Sequence, residues 1–239
     1  MKMLTMVVAG TGAILVAVSG VAVAQDPSTT ITADATVSPS KAGTKKKPQG
    51  VKLTVKVKWS SPADIEKPVT QRAIAFFPKG SLYNGSKYPK CSQDQLSRGG
   101  PQSCPPKSIM GKGTGTAFAD QVLTVPKITV VNGGGNMVYL YTVLNNPARV
   151  QAPVPGKITK MRGKYAYKLE LTIPRNLQIV AGVPIALRDI TITAGGKSWA
   201  KDWLATTSCG AGNKWQFKVQ TFFNTGGSAT FDDSVPCKK

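Results

Sequence analysis

The chain has 239 residues, with 31 Lys and Arg against 11 Asp and Glu, a net charge of +20 and no histidine. The missing histidine excludes Ser–His–Asp and Cys–His catalysis. It also removes the imidazole ligands of most zinc centres, and the C-x2–4-C spacing of a four-cysteine zinc site is absent. The length suits one large β domain or two small ones.

Residues 1–24 read as a secretory signal peptide. Lys2 supplies the charged n-region, Met6 to Val18 the apolar h-region, and Ala22-Val23-Ala24 the small-x-small pattern before Gln25. Gly10, Thr11, Gly12, Ser19 and Gly20 interrupt the apolar run, which makes it a poor permanent span. Gln25 rather than a cysteine follows, which argues against a bacterial lipid anchor. Residues 25–50 read as a flexible basic leader carrying one edge strand, Ile31 to Val37, and a Pro/Gly/Lys loop from Ser38 to Gly50.

From residue 51 the pattern is strand after strand. Val51, Leu53, Val55, Val57 and Trp59 alternate with Lys52, Thr54, Lys56 and Lys58, which gives one core face and one wet basic face. Val69–Pro78 is a second such strand. Cys91 to Cys104 brackets a short helical segment, Gln93 to Arg98, and a Gly99-Gly100-Pro101 break. Gly111–Ala119 and Gln121–Val131 follow as strands. Asn132–Asn136 reads as a hairpin turn, and Met137–Leu144 as a central strand, apolar on both faces. Asn145–Lys157 reads as irregular, rich in Pro and Gly. Tyr165, Tyr167, Leu169, Leu171 and Ile173 alternate inward until Pro174, and Ile185–Thr193 repeats the pattern. Trp199–Ser208 reads as an irregular connection, and Lys214–Phe223 with Ser228–Val235 as a closing hairpin. With 24 Gly, 17 Pro and almost no helix signal, the chain is expected to be an all-β, antiparallel, immunoglobulin-like sandwich over residues 51–239, in one unit or two sub-domains.

Four cysteines allow three connectivities. The sequential one, Cys91–Cys104 and Cys209–Cys237, closes short loops, and Cys209 and Cys237 flank the open end of the last hairpin. Each bridge would add about 3 kcal/mol. An exported chain makes disulfides the expected state.

The blocks Cys91–Ala119 (Ser103-Cys104-Pro105, then Gly111-x-Gly113-x-Gly115-x-Ala117) and Cys209–Cys237 (Trp215-x-Phe217, Gly226-Gly227-Ser228-Ala229-Thr230, Val235-Pro236-Cys237) resemble secreted actinobacterial β-sandwich proteins of uncharacterised function. The resemblance implies export and two disulfides. It brings no catalytic residues, and it does not extend to Met110, Lys112 or the basic 41–58 region.

Motifs with chemistry are few. Ser38-Pro39-Ser40-Lys41 matches S-x-x-K, but in a Pro-rich loop rather than at a helix start. Gly111-Lys112-Gly113-Thr114-Gly115 alternates like a strand, where its glycines permit a bulge or close packing, and opens no helix. Asp189, Glu170, Asp202, Asp232 and Asp233 are the acids from which a glycoside-cleaving pair would have to come. No calcium loop pattern occurs, and no cofactor is implied. Trp199 and Trp203 read as core residues or as stacking platforms for sugars.

The lysines carry the favoured reading. Lys45, Lys46, Lys47, Lys52, Lys56 and Lys58 form one acid-free cluster with Lys41, and Lys164 and Lys168 belong to a second. If both lay in one sheet, they would make a basic face for an anionic cell-envelope polymer or polysaccharide. Otherwise they are a solvated face that discourages edge pairing. The expectation is therefore a secreted, non-enzymatic protein, extracellular or associated with the envelope. The alternatives are a two-carboxylate hydrolase and an adhesion module that binds another envelope protein. Export and the lack of a recognition motif argue against nucleic acid.

Overall fold

The computed structural model describes residues 29–63 and 66–239. The segment read as a signal peptide, and its cleavage site, lie outside them. Thr30–Ser38 (β1) and Lys52–Ser60 (β2) pair antiparallel over nine residues, so that Ile31 meets Trp59, Ala33 meets Val57, Ala35 meets Val55 and Val37 meets Leu53. One face of the pair is apolar, and the other presents exposed Lys52, Lys56 and Lys58. A side-chain period of two gives this result directly.

Nine more strands follow: Thr70–Pro78 (β3), Ile109–Ala119 (β4), Lys127–Gly134 (β5), Met137–Leu144 (β6), Val150–Lys160 (β7), Tyr165–Thr172 (β8), Val183–Gly195 (β9), Lys214–Phe223 (β10) and Ser228–Pro236 (β11). They are hydrogen-bonded in the order β1-β2-β9-β4-β5-β6-β7-β8-β3-β10-β11, antiparallel at every step. Strands from the 50–90 and 160–208 stretches interleave, β2 beside β9 and β3 beside β8. The fold is all-β and antiparallel with very little helix, as expected. Its path curls until β1 packs beside β11, and a parallel bridge from Lys41 to Lys238 ties that seam at one end.

Four segments depart from the sequence reading. Asn145–Lys157 is not irregular, because most of it lies in β7. Pro153 and Pro155 face Tyr141 and Tyr139 of β6, and β7 pairs with β8 only from Gly156 onward. The two prolines therefore sit where β7 has a free side and no ladder donor is needed. Asn132 is not in a turn. It lies within β5 and is fully buried, and the chain turns after Gly134. Tyr165 does not point inward. A register shift between Tyr165 and Tyr167 puts its ring 5.3 Å from Phe76, and its hydroxyl donates to Asp232 at 3.0 Å. The predicted Gln121–Val131 strand is also broken, into Val122–Thr124 and β5 around Pro126.

Gly111, Gly113 and Gly115 let β4 and β9 approach closely. A Cβ at Gly111 would lie 2.2 Å from the Thr193 carbonyl oxygen, and one at Gly115 would lie 2.2 Å from that of Asp189. β6 is apolar on both faces, as expected. Val138 and Leu140 face the interior with Val130 of β5. Tyr139 and Tyr141 meet Val131, Cys91, Cys104 and Leu96 on the outside. Leu96 belongs to α1 (Gln93–Gly99), which starts at a capping box: Ser92 Oγ accepts from Gln95 N–H, and the Gln95 side chain accepts from Ser92 N–H.

Both disulfides have the sequential connectivity, Cys91–Cys104 and Cys209–Cys237, with Cα–Cα distances of 5.3 and 5.6 Å. They fit an oxidising, extracytoplasmic compartment. No helix among the described residues is long and apolar enough to cross a membrane.

Candidate functional site: a lysine-rich end of the sandwich

Antiparallel pairing fixes which connections share an end. The β1–β2, β3–β4, β5–β6, β7–β8 and β9–β10 connections and the C-terminus lie at one end, and the remaining connections at the other. The first end collects Lys41, Lys45, Lys46 and Lys47 from the β1–β2 loop, Arg162 and Lys164 from the β7–β8 tip, Lys197 and Lys201 from the β9–β10 connection, and Lys238 and Lys239. The acids in these connections are Asp94 and Asp202.

Hydrogen bonds hold part of this end in place. Ala42 N–H donates to the Lys238 carbonyl at 2.8 Å, and Lys238 N–H to the Ser40 carbonyl at 2.8 Å. Gln49–Gly50, Leu204–Thr206 and Ser81–Tyr83 form a small separate sheet across the same end. Buried Asn132 organises the neighbouring loop. Its amide donates to the carbonyls of Gly85, Tyr88 and Pro89 at 2.9, 3.2 and 3.0 Å, and its Oδ1 accepts from Tyr83 and Trp203, both at 3.2 Å. Burial pushes the Tyr83 phenol up to about 12, against a smaller opposing effect of Trp203. Asp202 accepts from the Tyr88 hydroxyl and pairs with Lys87 at 3.5 Å. Its carboxyl is held below the usual range, first by Tyr88, with burial opposing and Lys87 assisting. Asp202 is thus already engaged.

The structure divides the predicted lysines differently from a single sheet face. Lys52, Lys56 and Lys58 lie on β2 and Lys168 on β8, on opposite walls. Asp34 stands opposite Lys56 and Asp189 opposite Lys58, so the β2 face is not free of acids. Lys168 bonds Glu170 at 3.1 Å, and Glu170 also meets Arg72 at 3.1 Å. What the two clusters do share is an end. Lys45, Lys46, Lys47 and Lys52, the first residue of β2, lie at the same end of the strands as Lys164. Sequence reading missed Lys197, Lys201, Lys238 and Lys239, which join them there.

The five candidate acids do not form a facing pair. Glu170 sits between two cations, Asp202 is held by Tyr88, and Asp189 accepts from the Thr116 hydroxyl. Asp232 takes the Tyr165 hydroxyl, and Asp233 accepts from Ser234 N–H. Glu170, like Asp202, is shifted downward, first by Lys168, with burial opposing and Arg72 assisting. A general acid needs the opposite shift. Ser38 ends β1 and Lys41 bridges Lys238, so the S-x-x-K match opens no helix. Trp203 is a core residue packed edge-on against Tyr83 at 5.4 Å, and Trp199 is half-buried.

No family model and no curated protein matches the chain. Among solved structures it is similar to the N-terminal domain of the Streptococcus gordonii adhesin Sgo0707, with 15% identity over 90% of this chain and 33% of that one, at a TM-score of 0.35. It is also similar to the T6 backbone pilin of serotype M6 Streptococcus pyogenes, with 11% identity over 88% of this chain and 36% of that one, at a TM-score of 0.32. The chain spans about a third of the length of these structures.

Proposed function

We propose that the protein is a secreted, non-enzymatic binding protein of the cell envelope that docks on an anionic surface polymer through its lysine-rich end. The observation that carries this reading is the collection of Lys41, Lys45–Lys47, Lys197, Lys201, Lys238 and Lys239 at one end, where Asp202 is already paired. Clustered cations on separate loops follow an irregular polyanion better than a flat sheet face does, and the attraction falls off over a Debye length of about 10 Å at 0.1 M salt.

The test is co-sedimentation with purified teichoic-type polymer across a salt series. Expected is binding at low salt that falls steeply as salt rises, and a loss of at least about tenfold when Lys45, Lys46 and Lys47 are all changed to Glu. The β2 substitutions K56E and K58E, which face Asp34 and Asp189, should matter less. Absent or salt-insensitive binding, or equal effects of the two variant sets, would overturn the reading.

A further inference from the structure

We propose that the interior of the sandwich is a second binding site, for a single-tailed amphiphile with an apolar chain and an anionic, hydrogen-bond-accepting head. The interior holds a cavity of about 300 Å³, within the size range of small-molecule sites. Register points Leu169 and Leu171 of β8 and Ile190 and Ile192 of β9 inward, yet they are only half-buried, because they border this space instead of packing across it. Well-packed cores do not leave apolar side chains in that condition.

The polar atoms supply the second observation. Four buried side-chain atoms lack a hydrogen-bond partner among the described residues: Trp59 Nε1 and the hydroxyls of Thr70, Thr206 and Thr221. All four residues line this cavity, and the three threonines are at most 4% exposed. Buried polar groups are normally paired. Trp59, Thr70 and Thr221 lie toward the end away from the lysine cluster, near the finish of β2 and β10 and the start of β3. Each has a hydrogen to donate, so an acceptor-only carboxylate or phosphate head would satisfy them together. At that end a second cavity of about 290 Å³ shares Trp59 and Leu187 with the first and is bordered by Lys67 and Arg188. The opposite end is covered by Tyr83 and Trp203 on Asn132. A chain entering beside Lys67 and Arg188 would place its tail among the aliphatic residues and its head against cations and donors.

The probe is cis-parinaric acid, a fluorescent fatty acid, titrated into the full chain below its micellar concentration, with palmitate and hexadecanol as competitors. Expected is saturable one-to-one binding displaced by palmitate. Ala75→Phe, which fills the interior opposite Val219 and Leu169, should weaken it at least about tenfold. Joint K67Q and R188Q should weaken palmitate several-fold and leave hexadecanol unchanged. No saturable uptake, or unchanged affinity in folded A75F, would overturn the site; equal effects of K67Q/R188Q on acid and alcohol would overturn the head assignment. Should A75F fail to fold, a chain-length series on the unaltered protein decides. Affinity that rises from octanoate to palmitate and then levels supports an enclosed site, and affinity that grows without limit or ignores length refutes it.

Discussion

Replacing Asn132 by Ala should destabilise the protein by about 2 kcal/mol. The side chain is completely buried and joins three carbonyls to two donors. Some of these groups have a substitute. The Tyr83 hydroxyl keeps the Met137 carbonyl at 3.0 Å, and the bonds to Tyr88 and Pro89 are only part-buried, within reach of water. The Gly85 carbonyl also accepts from Tyr88 N–H at 3.4 Å, which leaves Trp203 Nε1 as the group whose buried bond is lost with Asn132. A stranded group costs about 1–3 kcal/mol, which centres the loss near 2. Urea unfolding with both disulfides intact is the assay. With a slope of about 3 kcal/mol per molar, the midpoint should fall by about 0.7 M. A loss below about 1 kcal/mol would mean that the carbonyls and the indole find other partners, and that Asn132 does not anchor this end of the sandwich.

Three other outcomes are expected. Glu170 is a depressed carboxyl, so its contribution is present above the unfolded value near pH 4.3 and is lost as pH falls through its lower folded value; E170Q should flatten acid unfolding between about pH 5 and 3, by less than about 1 kcal/mol because the Arg72 and Lys168 partners are partly exposed. Changing Cys91 and Cys104 to Ser should cost about 3 kcal/mol in chemical unfolding, and changing Cys209 and Cys237 somewhat more, because the second bridge spans 28 residues rather than 13; equal losses would argue that loop length is not what matters. Gly111→Ala should lower stability by about 1–3 kcal/mol, because its Cβ meets backbone rather than a movable side chain, whereas Gly135→Ala has open space and loses only its φ of +53°; thermal melts of the two variants separate these effects.

Strands whose two faces differ in chemistry were legible from residue types alone. β2 declares itself through Val and Lys in alternation, and β10 through Trp215, Phe217 and Val219. β7 was not legible, because Pro153 and Pro155 signal a break unless the neighbour on each side is known. That single omission had a wide effect. In an antiparallel sheet, each strand missed reverses the end to which all later loops belong. Without β7, Lys197, Lys201, Lys238 and Lys239 fall at the opposite end from Lys45–Lys47, and the cluster cannot be assembled. Asn132 was misread because Asn-Gly-Gly-Gly is a strong local turn signal, while its actual role depends on Trp203 and Gly85, 71 and 47 residues away. The cysteine pairing was readable because the short bracketed segments are nearly self-contained.

The seam between β1 and β11 bears on the order in which the structure can form. Lys41 and Ala42 make their contacts with Lys238, so the earliest described strand and the last residues of the chain are neighbours. Closing a loop that encompasses nearly the whole described chain is slow and comes after local hairpins such as β5–β6 and β10–β11. A ribosome-bound or partly threaded chain still lacking its last strand would expose the inner faces of β1 and β10, and the seam could close only once β11 had arrived.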